Sequence, residues 1–148
     1  MIVETSPGHS RTEQTVALLV GVILALAVCA FGTLVRFDRS RVFYPTMLIV
    51  VASYYGLFAV MGGSTQALLL ETAVIAAFVL TSVLGFKFNL WFVAGALFAH
   101  GVFDSIHGHL IENPGVPTWW PMFCGTFDVI AAAYLAYLLS RRKDARAN

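Results

Sequence analysis

The sequence predicts an all-α fold, a polytopic transmembrane bundle of about five helices. Of the 148 residues, 59% are apolar and only 11% are charged, whereas a soluble domain carries roughly 25% charged residues. The chain also contains about five apolar stretches, each close to the roughly 20 residues that a helix needs to cross a bilayer. Finally, the positive charges are concentrated in connections that such a bundle would place at one end.

The predicted spans cover residues 15–35, 43–61, 66–85, 89–110 and 118–139. The first apolar run is longer than the roughly 7 to 15 residues of a secretion signal, and we interpret it as a retained helix. Short connections between the spans make consecutive helices antiparallel neighbours. We therefore expect a polar N-terminal tail, a single transmembrane bundle and a basic cytoplasmic tail. These regions cover residues 1–14, 15–140 and 141–148.

The distribution of Lys and Arg predicts the direction of the spans. Five spans place three segments on one side: the connections after the first and third spans and the C-terminal tail. These segments contain Arg36, Arg39, Arg41, Lys87, Arg141, Arg142, Lys143 and Arg146. Positive residues favour the cytoplasmic side, so we expect the N-terminus outside and the C-terminus in the cytoplasm, in the plasma (inner) membrane. The net charge of only +1 argues against a nucleic-acid partner.

Five ionisable residues fall inside the predicted spans rather than at their ends. They are Glu71, His100, Asp104, His107 and Asp128. A charged carboxylate near the bilayer centre costs about 2.5 to 3.5 kcal/mol on insertion scales. These side chains must therefore pair with one another, become protonated or bind a further molecule.

Residue counts from the predicted turns place these side chains at similar depths. Glu71 is level with Asp104, and His100 is level with Asp128. At 100° per residue, His100, Asp104 and His107 share one face of the fourth helix. We therefore expect one polar pocket, enclosed by helices two to five in the outer half of the membrane.

Several nearby residues have simpler interpretations. Cys124 and Tyr55 lie at the same depth as the pocket, but each is expected to be a packing residue. Asn113 precedes a proline and indicates a turn. His109 and Glu112 are expected to lie at the membrane interface.

The pocket suits a membrane-embedded enzyme that acts on a hydrophobic or amphipathic small molecule. Imidazole and carboxylate groups at helical spacing can hold a divalent ion such as zinc or iron. An arrangement with Asp104 bridging two ions would use His100 and His107, with Glu71 and Asp128 as further ligands. The candidate catalytic residues are Asp104, His100, Asp128 and Glu71.

Two other functions use the same residues. A metal-free acid/base isomerase or cyclase of a lipid-like substrate needs only a buried carboxylate beside an imidazole. A small proton- or cation-coupled transporter would also place ionisable groups inside the membrane. The expected partners are the lipid bilayer, a lipid-soluble small molecule and a second copy of the chain in a homo-oligomer.

Residues 100–128 read HGVFDSIHGHLIENPGVPTWWPMFCGTFD. This segment resembles an uncharacterised family of small polytopic bacterial membrane proteins, classed as a domain of unknown function. The similar elements are H-x-x-F-D-x-x-H, the following Asn-Pro and C-x-x-x-D. The resemblance implies that helices four and five form the functional hairpin, and it implies no particular activity.

Overall fold

The computed structural model describes residues 7–147 of the chain, and the side chains of residues 11–142. The described part contains five α-helices, one short 3-10 helix and no strand, so the all-α prediction is confirmed. The α-helices are α1 (Pro7–Leu34), α2 (Phe43–Met61), α3 (Thr65–Lys87), α4 (Trp91–Leu110) and α5 (Trp120–Ala147). The 3-10 helix, Phe37–Arg39, lies between α1 and α2.

The first and last helices extend beyond the predicted spans. Helix α1 begins at Pro7 rather than at residue 15, and α5 continues to Ala147. The expected tails therefore continue the helices through residues 7–14 and 141–147. Hydropathy marks only the part of a helix that suits lipid, whereas proline at a first turn and Ala, Arg or Lys near an end favour helix in any solvent.

Four of the five helices are long and apolar enough to cross a membrane: α1, α2, α3 and α5, with mean hydropathies of 1.6 to 2.6. Helix α4 is not among them, although its 20 residues correspond to about 30 Å, the thickness of a hydrocarbon core. Its hydropathy is lowered by the polar residues on its second half. These are His100, Asp104, His107 and His109.

Helix α4 occupies the centre of the bundle. It packs against α2, α3 and α5, while α1 packs mainly against α5. Helices α4 and α5 approach closely at two glycines. A Cβ atom on Gly101 would lie 2.8 Å from the carbonyl oxygen of Gly125. This close approach lets short side chains on the two helices reach one another.

Two contacts define the basic end of the bundle. The guanidinium of Arg142 donates to the carbonyl and carboxylate oxygens of Asp38, at 2.9 and 3.1 Å. Arg41 donates to the carbonyl oxygen of Gly85 at 3.2 Å. The cationic connection after α1, the end of α3 and the end of α5 therefore lie together, as the charge pattern predicts.

The opposite end, called the loop end here, is formed by the α2–α3 turn and the loop between α4 and α5. The two segments are residues 62–64 and 111–119. Gly115 of the loop packs directly on the backbone of Phe58 and Gly62, and a Cβ atom would not fit there. The loop is thus seated on the end of α2 and covers the bundle interior.

Candidate functional site

The central contact of the site joins α4 to α5. His100 Nδ1 lies 2.6 Å from Asp128 Oδ2, and both side chains are at most 1% exposed. The residue counts from the α4–α5 connection place these two residues at one depth, and this contact confirms it. Gly101, next to His100, and Gly125, three residues before Asp128, bring the two backbones close enough for the contact to form.

Asp104 lies one helical turn from His100, on the same face of α4. Its Oδ2 atom is 3.6 Å from His100 Nδ1. Its Oδ1 atom accepts a hydrogen bond of 2.6 Å from the hydroxyl of Tyr55 on α2. The carboxylate is therefore oriented by α2 and directed towards α5.

Cys124 completes a group of four side chains. Its thiol donates to Asp128 Oδ2 across 3.8 Å. One potential ligand atom from each of His100, Asp104, Cys124 and Asp128 lies within 4.8 Å of the others, and all four residues are buried. We refer to these four residues as the cluster.

Glu71 and His107 form a second group nearer the loop end. Glu71 Oε1 lies 2.7 Å from His107 Nε2 and accepts a hydrogen bond of 2.9 Å from the Asn113 side chain. The expectation that Glu71 is level with Asp104 is therefore wrong by one helical turn. The observed α3–α4 turn is centred near Asn89, two residues beyond the assumed position, and this shift pairs Glu71 with His107.

Tyr55 connects the two groups. Its ring stacks on the His107 ring with 3.9 Å between centroids and an interplanar angle of 19°. Its hydroxyl bonds Asp104, and its backbone carbonyl accepts from Asn113 at 3.0 Å. Any displacement of Tyr55 would thus affect both groups together.

Three carboxylate oxygens of the site are buried without a hydrogen-bond partner among the described residues. They are Glu71 Oε2, Asp104 Oδ2 and Asp128 Oδ1. An unsatisfied buried acceptor costs on the order of 1 to 3 kcal/mol, and more if it is charged. A proton or a bound cation on these oxygens would remove that cost.

All five ionisable residues named from the sequence are buried, and each contacts at least one of the others. The structure divides the expected single pocket into two adjacent groups. His100, Asp104 and Asp128 lie in the cluster, which is the group of described residues that could hold a metal ion. His107 and Glu71 are not part of that group, so among the described residues the Asp104-bridged pair of ion sites stays a prediction.

Spacing along the chain predicts simpler roles for three of the contributing residues. Cys124 and Tyr55 were expected to pack, and Asn113 was expected only to turn the chain. Residue counts predict the depth of Cys124 and Tyr55 in the bundle. They do not predict how α5 and α2 are rotated about their axes, and this rotation decides which neighbours the two side chains contact. His109 and Glu112 are exposed, in agreement with their expected interfacial position.

Two cavities border the site from different sides. An apolar groove of about 550 Å³ runs between α1, α2 and α5, and Cys124 is the cluster residue that lines it. A smaller cavity of about 320 Å³ at the loop end is lined by His107, Asn113 and neighbouring loop residues. The cluster thus borders an apolar groove at Cys124, and the Glu71–His107 pair borders the loop-end cavity at His107.

No family model, curated protein or solved structure matches the chain. The resemblance of residues 100–128 to an uncharacterised family stays a prediction.

Proposed function

We propose that this protein is a membrane-embedded enzyme that binds a divalent metal ion, zinc or iron, in the cluster. Its substrate would be a hydrophobic or amphipathic small molecule. One observation carries the proposal. Four buried side chains of ligand type lie with their potential ligand atoms within 4.8 Å of one another, and two of their carboxylate oxygens have no partner.

The donor set suits such an ion. Nitrogen, sulfur and carboxylate oxygen ligands are those that zinc takes in proteins. A divalent cation held by two ionised aspartates and a neutral His100 forms a group of zero net charge, whereas ligation by Cys124 requires its thiolate and leaves the group with one negative charge. Neutrality matters because an unbalanced charge inside the bilayer costs several kcal/mol. A divalent ion held there would supply a Lewis acid in a site with little water.

Two of the separations between donor atoms are close to those of a tetrahedral site. Ligand atoms around zinc lie roughly 3.3 to 3.7 Å apart, given bond lengths of about 2.0 to 2.3 Å. His100 Nδ1 is 3.6 Å from Asp104 Oδ2, and Cys124 Sγ is 3.8 Å from Asp128 Oδ2. The His100–Asp128 distance of 2.6 Å is shorter, so an ion would replace that hydrogen bond.

The proposed enzyme crosses the plasma membrane five times, with α4 as the fourth span. Helix α4 has the length of a span and is surrounded by helices apolar enough to cross a membrane. The cationic segments at the basic end support a cytoplasmic C-terminus and an external N-terminus. The cluster would then lie in the outer half of the bilayer, below the loop end.

An enzyme fits the distribution of buried charge better than a transporter does. Among the described residues, the buried ionisable groups between the loop end and the middle of the bundle all belong to the cluster or the Glu71 pair. Towards the basic end the described centre of the bundle is mostly apolar, and its buried polar side chains are Tyr44, Ser82 and Asp38. Leu48, Val93, Leu97, Ala131 and Leu135 fill it, and each is at most 1% exposed. A one-sided polar site suits catalysis, whereas transport requires a path to both sides.

Metal analysis of the purified protein tests the proposal. We expect about one zinc or iron ion per chain in detergent, with loss of most of it in Asp104→Asn and Asp128→Asn. These substitutions keep side-chain volume while removing the charge that the ion needs. Glu71→Gln is the matched control, because it alters a buried carboxylate outside the cluster and should retain the ion. Equal metal content in the three variants and the parent would refute a site in the cluster.

Cobalt substitution separates the possible ligand sets. If Cys124 is a ligand, the cobalt-loaded protein shows a thiolate-to-cobalt charge-transfer band that Cys124→Ser lacks. If the ion is held by His100, Asp104 and Asp128 alone, both proteins bind cobalt and neither shows the band. Either result identifies the ligands of the metal site. If neither cobalt nor zinc binds to the parent or to Cys124→Ser, the proposed metal site is wrong.

A metal-free acid/base enzyme is the second candidate, and the His100–Asp128 hydrogen bond favours it. At 2.6 Å the pair is already joined as a proton donor and acceptor. Such a pair can hold or transfer a proton to an isomerising or cyclising lipid-like substrate. Protein that folds fully and turns over substrate without stoichiometric metal would identify this candidate as the correct one.

A further inference from the structure

Tyr55 lies between the two groups of buried ionisable residues and contacts both. Its side chain is 1% exposed. Its ring is 3.9 Å from the ring of His107 and 6.1 Å from the ring of His100, measured between centroids. Its hydroxyl donates to Asp104 Oδ1 at 2.6 Å. A single side chain of α2 therefore faces the polar stripe of α4 over two helical turns.

The hydrogen bond from Tyr55 gives the two oxygens of Asp104 different surroundings. A separation of 2.6 Å is in the range of hydrogen bonds from a hydroxyl to an ionised carboxylate, about 2.5 to 2.7 Å. The bond occupies Oδ1, whereas Oδ2 has no partner among the described residues and lies 3.6 Å from His100 Nδ1. The oxygen nearer to His100 is thus free to bind an ion, and the hydroxyl keeps the carboxylate from rotating.

The second group holds Tyr55 in this position through a closed set of contacts. The Asn113 side chain donates to the Tyr55 carbonyl oxygen at 3.0 Å and to Glu71 Oε1 at 2.9 Å. Glu71 Oε1 also lies 2.7 Å from His107 Nε2. The His107 ring in turn stacks on the Tyr55 ring at an interplanar angle of 19°. These contacts fix both the backbone and the ring of Tyr55.

Burial alone does not account for a tyrosine at this position. Phenylalanine would fill nearly the same volume, but it would leave Asp104 Oδ1 as a further buried acceptor without a partner, which is costly. The neighbouring Tyr54 is 37% exposed and lines the apolar groove. The two adjacent tyrosines thus differ in their surroundings, and Tyr54 is a matched control for Tyr55.

We infer that Tyr55 is a positioning residue of the metal site, and that Glu71, His107 and Asn113 act on that site by holding Tyr55. The inference rests on the proposed function, because only a bound ion gives the orientation of Asp104 its effect. Carboxylate ligands of metals are themselves hydrogen-bonded by neighbouring groups, and loss of such a group lowers metal affinity about 10- to 100-fold. The second group of ionisable residues thereby acquires a role in the function of the cluster.

The zinc affinity of variants without a hydroxyl tests the role of Tyr55. Affinity is measured in detergent by competition with a zinc-chelating indicator. We expect Tyr55→Phe to bind zinc about 10- to 100-fold more weakly than the parent, with about one ion per chain still bound at saturating zinc. Tyr54→Phe should bind zinc as the parent does. Equal affinity of Tyr55→Phe and the parent would refute the inference.

Cobalt spectra separate positioning from packing. A carboxylate released by Tyr55→Phe can rotate and offer both oxygens, so the d–d bands of bound cobalt should change in position or intensity. Tyr54→Phe should keep the parent spectrum. If Tyr55→Phe unfolds at a lower temperature but keeps the cobalt spectrum and the zinc affinity of the parent, Tyr55 is a packing residue and the inference is wrong.

Asn113→Ala tests the support from the loop without altering a fully buried side chain. Asn113 is partly buried, and its removal breaks the hydrogen bonds to Tyr55 and Glu71. We expect zinc affinity to fall severalfold, less than in Tyr55→Phe. Asn89→Ala is the matched control, because Asn89 accepts from the backbone of Trp91 at 3.1 Å, at the opposite end of α4. Asn89→Ala should leave zinc affinity unchanged, and an unchanged affinity in Asn113→Ala would overturn the support of Tyr55. This pair also decides the inference if Tyr55→Phe does not fold.

The double variant Tyr55→Phe/Asn113→Ala shows whether the two residues act in series. If Asn113 acts through Tyr55, the double variant should bind zinc about as weakly as Tyr55→Phe alone, because coupled residues are not additive. Fold-changes that multiply would mean that Asn113 affects the cluster by another route, and they would contradict the inference. A parent that binds neither zinc nor cobalt overturns the proposed function together with this inference, whereas a metal-binding parent and an unaffected Tyr55→Phe overturn this inference alone.

Discussion

Helices α3 and α4 are neighbours of similar length, but they relate to the rest of the bundle in opposite ways. Helix α3 has a mean hydropathy of 2.2, and yet only 17% of its most apolar window is buried inside the protein. Helix α4 is too polar to qualify as a span, and yet it contacts α2, α3 and α5 and buries three ionisable side chains. Of these two helices, the more apolar one is therefore the more exposed, and the more polar one is the more buried.

The physical reason is the solvent. In water, apolar residues gain most from burial, whereas lipid is as apolar as leucine and offers no such gain. Polar side chains avoid lipid and meet at the centre of the bundle. Glu71 illustrates the rule on α3 itself, because this carboxylate is 0% exposed while leucines on the same helix face outwards.

The largest effect should follow from breaking a buried pair at the centre. In His107→Ala the Glu71 carboxylate loses its imidazole partner and retains the Asn113 side chain. Removing one member of a buried ion pair costs about 3 to 5 kcal/mol. We expect a corresponding loss of unfolding free energy in detergent, measured by circular dichroism during denaturant titration.

The double variant Glu71→Leu/His107→Phe is the control for that substitution. Replacing a buried pair by apolar residues of similar volume is often neutral or stabilising. Stability of the double variant close to that of the parent would show that the single loss arises from an unpaired charge. A loss below about 1 kcal/mol in His107→Ala would instead be typical of a solvated pair, and α4 would not then be the polar centre of the bundle.

A new charge on the lipid face of α3 should have a slightly smaller effect. Ala76 is exposed and lies near the middle of that helix. Aspartate at the centre of a span costs about 2.5 to 3.5 kcal/mol on insertion scales. We expect Ala76→Asp to reduce membrane insertion of the α3 segment in a glycosylation-mapping assay, while Ala76→Leu leaves it unchanged. Full insertion of Ala76→Asp would mean that this face of α3 contacts protein or water.

Comparison of the two helices also explains what the sequence could predict. The number of helices, the shared end of the cationic segments and the common depth of His100 and Asp128 all follow from spacing along the chain. Spacing determines depth, because each residue adds a fixed rise. It does not determine the rotation of one helix against another. For this reason Tyr55 was expected to pack, although its hydroxyl bonds Asp104.

The division of the ionisable residues into two groups was beyond the sequence for a related reason. The pairing of Glu71 depends on the centre of the α3–α4 turn, which lies two residues beyond the predicted position. That shift brings Glu71 level with His107 on α4, about one helical turn from Asp104. The contribution of Asn113 depends on how the loop folds back over α2. Gly115 permits that approach because it has no side chain.

The smallest predicted effect compares two glycines on α4 itself. A Cβ atom on Gly101 would lie 2.8 Å from the carbonyl oxygen of Gly125 and 2.9 Å from Val129 Cγ2, whereas a Cβ atom on Gly95 would have no neighbour within 4 Å. Gly101→Ala must separate α4 from α5, and overpacking of this kind costs about 1 to 3 kcal/mol. Gly95→Ala should be neutral, or stabilising by up to about 1 kcal/mol, because alanine favours helix over glycine. Thermal unfolding of both variants in one detergent measures the difference.

Since Gly101 adjoins His100, Gly101→Ala should also weaken metal binding under the proposed function, and Gly95→Ala should not. Equal tolerance of the two substitutions would mean that α4 and α5 are not held at close approach, and the His100–Asp128 contact would then lack its structural basis.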